Sequence, residues 1–137
     1  MGVELQVLAW AVLLAGVQLV LFAVPANLEL GVGYTAGPRD TAPPRPLSVR
    51  CARLQRAFAN HIENLVLFAA GVLVVVAGGA SSGVTEAAAV VYLVARIAYV
   101  PAYALGIPYL RSAIWAVGWL ATLTLPLAGL LAGGGAP

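Results

Sequence analysis

Four side chains on one short stretch could do chemistry together. Arg53, Arg56, Asn60 and Glu63 recur at spacings of three, four and three. In a helix that spacing places them on one face. They lead directly into an apolar run from Leu65 to Ala77. Two guanidiniums, an amide and a carboxylate entering lipid are costly unless they meet partners or a polar ligand. Downstream, Arg96, Tyr99 and Tyr103 share a second helical face, and Arg111 and Ser112 form a third polar group. Glu63 can pair with Arg56 or Arg96, Asn60 can bridge helices, and the tyrosines can anchor at the membrane interface. Those pairings exhaust the acids before they satisfy Arg53, Arg56, Arg96 and Arg111. The surplus positive charge asks for an anion, such as a ligand carrying carboxylates and a thiol or phosphate. A guanidinium at a helix N-terminus stabilises a thiolate, so Arg111 and Ser112 are the candidate catalytic pair. Neither a Ser-His-Asp arrangement nor a Cys/His metal cluster competes with this chemistry. No metal and no nucleic acid is expected as a partner.

Composition says where these groups sit. The chain has 137 residues, of which 62% are hydrophobic and 9% charged, with a mean hydropathy of +0.97. Soluble domains carry about 25% charged residues. The chain is therefore read as an integral membrane protein, since a soluble core of this length could not hide so much apolar surface. All seven basic residues are arginine. Arginine's planar, permanently charged fork suits carboxylates in a buried site, although GC-rich codon usage would give the same bias. The single cysteine, Cys51, excludes an intrachain disulfide. His61, the only histidine, falls off the face shared by Arg56, Asn60 and Glu63. Trp115 and Trp119 are assigned to packing or to lipid.

Four transmembrane helices must position the polar groups. Their expected spans are 3–25, 49–78, 85–106 and 111–131, since about 20 apolar residues cross a bilayer. They form one all-α domain over 1–137, with no strand signal. Pro25 is expected to close the first helix. A cleaved signal peptide is the alternative reading of that segment. It lacks a basic n-region, carries Glu4 instead, and has an apolar stretch longer than the usual 7–15 residues. The polar loop 27–48, rich in proline and glycine, is expected to hold no long helix or strand. Ser48 is a candidate N-cap for the second helix. Pro101 should kink the third, Arg111-Ser112 should open the fourth, and the tail 133–137 should fray. Arg39, Arg45, Arg50, Arg53 and Arg56 gather at the first connection and Arg111 at the third. The positive-inside rule puts that side in the cytoplasm and both termini outside.

At these residues the chain resembles the MAPEG family, the membrane-associated proteins in eicosanoid and glutathione metabolism. Arg56-Ala-Phe-Ala-Asn60-His-Ile-Glu63-Asn64 is similar to the family's Arg-x-x-x-Asn-x-x-Glu signature on its second helix. Ala95-Arg96-Ile-Ala-Tyr99-Val-Pro-Ala-Tyr103 and Arg111-Ser112 extend the resemblance to the third and fourth helices. The resemblance implies a homotrimer of four-helix subunits, with glutathione bound between neighbouring subunits near the cytoplasmic face. It implies glutathione contacts from Arg53, Arg56, Asn60, Glu63, Arg96, Tyr99 and Tyr103. Arg111, with Ser112, would stabilise the thiolate. Phe58 and Ala59 stand where eicosanoid-type members often place His or Arg. The first helix also has no arginine until Arg39. Both departures favour a bacterial-type member of an inner membrane. It would be a transferase or peroxidase acting on a lipophilic substrate drawn from membrane lipid. A small multidrug exporter is the rival transporter reading, but it needs an acid embedded in the first helix, where only Glu4 stands at one end. A non-catalytic scaffold or lipid-binding protein would keep the fold without needing the arginines.

Overall fold

A computed structural model of the chain describes residues 1–134. Its elements are α1 (Val3–Leu30), α2 (Val32–Thr35), α3 (Val49–Ala77), α4 (Gly83–Ala104) and α5 (Pro108–Gly133). The four longer helices are each long and apolar enough to cross a membrane. Residues 135–137 of the expected frayed tail lie outside the described residues.

Two prolines behave differently from expectation. Pro25 lies inside α1, which continues to Leu30. A proline forfeits one backbone bond, and membrane helices tolerate that loss because lipid offers no better partner to an uncoiled chain. The break comes instead at Gly31, whose φ of 84° suits a glycine. Four residues of the expected loop therefore belong to α1 and four more form α2. The second correction concerns the start of α5, which falls at Pro108 rather than at Arg111. Proline is favoured at the first helical position, where its missing N–H would have been unpaired anyway. Arg111 consequently sits one turn inside α5, with its amide already donated to the Ile107 carbonyl at 3.3 Å.

Capping chemistry sets the other starts. The Ser48 hydroxyl accepts from the Cys51 amide at 3.2 Å, and Ser82 and Thr85 form a reciprocal capping box at the head of α4. The Glu29 carboxylate accepts from the Ser48 amide at 2.6 Å and from its hydroxyl at 3.0 Å, tying the returning loop to the end of α1.

α1 packs along α3 and α4 along α5, with α3 and α4 closing the middle of the bundle. The core holds Phe68, Val72, Val75, Ala89, Tyr92 and Leu125, all at 0% exposure. Phe68 and Tyr92 stack with ring centroids 3.8 Å apart. At Gly71 a Cβ would lie 3.1 Å from that of Leu125. Helices in lipid associate through such close small-residue contacts rather than through hydrophobic drive. At the end of the bundle away from the arginines, buried Glu4 accepts from the Thr85 hydroxyl at 2.7 Å and fastens α1 to α4.

The turn from α4 to α5 is closed by Gly106 at φ 69°. The Ile107 amide reaches back to the Ala102 carbonyl at 3.2 Å and the Gly106 amide to Tyr103 at 3.0 Å, a Schellman arrangement. The Arg53 guanidinium lies over this glycine, within 2.6 Å of where a Cβ would stand. Gly106→Ala should cost about 1–2 kcal/mol from the left-handed backbone alone. The Arg53 head can swing aside on its flexible stem. The same cost is therefore expected in an Arg53→Ala background, measured by chemical denaturation in detergent.

Candidate functional site

The polar residues of α3, α4 and α5 meet at the end of the bundle where α1 finishes and α3 begins. Their helical registers bring them there. Asn60 stands one turn beyond Arg56, Tyr99 stands three residues after Arg96, and Arg111, Ser112 and Trp115 occupy the first two turns of α5. Between them lies a cavity of about 200 Å³, lined by Asn60, Tyr99, Arg111, Ser112 and Trp115.

Arg96 is the deepest charge. It is 3% exposed. Its Nη1 donates to Asn60 Oδ1 at 3.0 Å and its Nε to His61 Nδ1 at 3.2 Å. Its guanidinium carbon lies 4.5 Å from the centre of the Tyr99 ring. Its Nη2 is buried and without a partner among the described residues. The groups that hold Arg96 are thus neutral: an amide, an imidazole and an aromatic face. A buried cation with no carboxylate beside it is expensive, and such expense marks functional sites in membrane helices.

Asn60 is oriented from both sides. Its Oδ1 receives Arg96 and also the Asn64 amide at 3.3 Å, while that same amide donates to the Asn60 carbonyl at 2.8 Å. With donors converging on Oδ1, the Nδ2 group remains available to the cavity.

Nearer the surface the arginines stack on tyrosines. Arg111 lies 4.8 Å from the Tyr103 ring centre, and Arg56 donates through Nε to the Tyr103 hydroxyl at 3.0 Å. Tyr99 and Tyr103 meet edge to face with centroids 5.5 Å apart. Cation–π contacts fix a guanidinium's plane without neutralising it, so Arg111 keeps its charge for an anion.

The sequence-expected residues divide into groups. Asn60, Tyr99, Arg111 and Ser112 line the cavity. Arg96 lies behind Asn60 and Tyr99, and Tyr103 supports Arg56 and Arg111. Arg56 and Glu63 are exposed on the outer side of α3, and Arg53 rests on the α4–α5 turn. Because α5 starts at Pro108, the amides of Arg111 and Ser112 are not the free donors of a helix N-terminus. Their side chains carry whatever they contribute.

Sequence reasoning missed two lining or supporting groups. Trp115 lines the cavity, stacked on Trp119 with centroids 6.0 Å apart. Its position four residues after Arg111 could have placed it there. His61 is fully buried between Arg96 and the Ala11 carbonyl, with Nε2 2.9 Å from that oxygen. No signal within α3 announces this, because the partners come from α1 and α4.

The cavity therefore offers an undischarged guanidinium, an amide donor, two hydroxyls and an indole face. That set suits an anionic or strongly accepting ligand with an apolar part. Among the described residues no cluster of His, Cys, Asp and Glu could hold a metal. No curated protein and no solved structure gives a significant match. The model of the MAPEG family matches residues 7–131, nearly the whole chain. With four membrane-crossing helices and this match along them, the chain belongs to the MAPEG family and is an integral, multi-pass membrane protein.

Proposed function

We propose that the protein is a glutathione-dependent membrane transferase or peroxidase. It would hold glutathione in the Arg111 cavity and present the sulfur to lipophilic electrophiles or peroxides arriving from the bilayer. The observation that carries this reading is the charge balance of the site. Among the described residues no carboxylate pairs with Arg111 or buried Arg96, whose contacts are an amide, an imidazole and aromatic faces. Membership of the MAPEG family supports an anion that carries a thiol.

The donor set fits glutathione. Its two carboxylates would take guanidiniums from Arg53 and Arg56. Asn60 and the Tyr99 hydroxyl would take peptide carbonyls, and exposed Glu63 would receive the amino group. Glutathione supplies a soft sulfur nucleophile. A thiol of pKa about 8.5 is mostly protonated at neutral pH. A cation within about 4–6 Å lowers such a value by about 1–3 units. Arg111 would hold the sulfur's negative charge, while Ser112 donates to the same atom. Trp115 and the apolar flank would exclude water and admit the second substrate.

One subunit gives only part of such a site. A cavity of about 200 Å³ falls below the roughly 300–1,000 Å³ of ordinary ligand pockets, and Arg56 and Glu63 face outward at its edge. A homotrimer would bring a neighbouring subunit against that edge and complete the cradle. Arginine placement supports a cytoplasmic site with both termini outside, as expected for a bacterial inner membrane.

Detergent-purified protein should bind glutathione with one site per chain, and its mass should correspond to three chains. Absence of binding by the parent protein would remove the reading; a stable dimer would remove its assembly.

A further inference from the structure

The single histidine is buried in the middle of the bundle, away from the cavity wall, and nothing in the thiol chemistry above uses it. It is 0% exposed and has hydrogen-bond partners on two other helices. Arg96 stays protonated and its Nε can only donate, so Nδ1 of His61 must accept that bond. The ring proton then sits on Nε2, which donates to the Ala11 carbonyl. One neutral imidazole in one tautomer thus links α1, α3 and α4.

From this geometry we infer that His61 is the positioning residue of the anion site. Its Nδ1 lone pair holds the Arg96 guanidinium in plane. With Nε given to His61 and Nη1 to Asn60, rotation of the Arg96 head is blocked at two of its three nitrogens. The guanidinium so fixed holds Asn60 Oδ1, which leaves Asn60 Nδ2 as the donor offered to the cavity. A protonated imidazole would have no lone pair for Arg96 and would set two cations side by side. The other tautomer would point N–H at N–H. Either state releases the guanidinium. The proposal deepens the glutathione reading and rests on it for its ligand, but the tautomer stands on the geometry alone.

Two substitutions separate the two bonds. Asn at this position puts a carbonyl oxygen where Nδ1 stands, keeping the acceptor for Arg96. Gln reaches the Nε2 position with an N–H donor, keeping the Ala11 link. His61→Asn should keep glutathione affinity within about threefold, and His61→Gln should lose about tenfold or more, the usual effect of losing a hydrogen bond to a charged group. Equal losses, or the reverse order, would overturn the assignment. Thermal midpoints recorded in parallel guard against simple misfolding.

A measurement on the unaltered protein covers the case in which both variants fail to fold. Because the chain has one histidine, ring-¹⁵N nuclear magnetic resonance reports it without overlap. The expected spectrum has a protonated Nε2 and an unprotonated Nδ1 at neutral pH. The Nδ1 signal should shift in Arg96→Met. A protonated Nδ1, or a signal indifferent to Arg96, would overturn the positioning role. If the parent protein binds no glutathione, the proposed function fails and the resonance experiment alone decides the role of His61.

Discussion

Arg111→Ala should lower kcat/KM for thiol addition to a lipophilic electrophile by about 100- to 1,000-fold. That is the usual cost of removing one preorganised group aimed at charge in the reacting state. An aryl halide activated by nitro groups would serve as the electrophile. The loss should fall mainly on the sulfur and less on affinity, because Asn60, Tyr99 and Arg56 would still hold the peptide. It should also depend on pH in a definite direction. If Arg111 lowers the thiol pKa, the parent rate reaches its plateau at lower pH than the variant. The gap between the two should narrow as pH rises towards the ordinary thiol pKa near 8.5. Arg111→Lys keeps the charge but loses the flat stack on Tyr103, and should recover only part of the rate. A pH-independent deficit would indicate that Arg111 binds substrate without activating it.

Arg96→Met should give the opposite division between function and stability. The buried guanidinium is held by neutral groups, and its Nη2 has no partner among the described residues. A fold gains little from such a charge, and replacing a buried ion with an apolar side chain of similar length is often neutral or stabilising. The unfolding midpoint in detergent should therefore stay within a few degrees of the parent or rise. Glutathione affinity should fall about tenfold, because Asn60 loses the guanidinium that orients it. Loss of both properties together would assign Arg96 to the fold rather than to the ligand.

How much of this could be read from sequence depends on the distance over which each feature is encoded. The shared face of Arg56, Asn60 and Glu63 is local, because helical periodicity alone produces it. So is the alignment of Arg96 with Tyr99 and Tyr103, and so is the Ser48 cap. Proline was harder to read, since its effect depends on its surroundings. Pro25 lies within α1 because lipid gives an interrupted helix nothing better to do. Pro108 begins α5 because Gly106 had already turned the chain. That shift of three residues moved Arg111 from a helix tip to its flank. The electrostatic argument for the pair accordingly rests on a guanidinium and a hydroxyl, and no longer on free backbone amides. His61 was out of reach for a different reason. Its partners are 35 and 50 residues away. Only the packing of α1 and α4 around α3 reveals them.

The central claim is that this site turns bound glutathione into a thiolate. Ultraviolet difference absorbance of the thiolate, recorded as glutathione is added to the detergent-purified protein at neutral pH, tests it most directly. The parent should show a saturable thiolate signal, and Arg111→Ala should show little or none while still binding the peptide. Saturable glutathione binding by the parent with no thiolate signal at neutral pH would contradict the account.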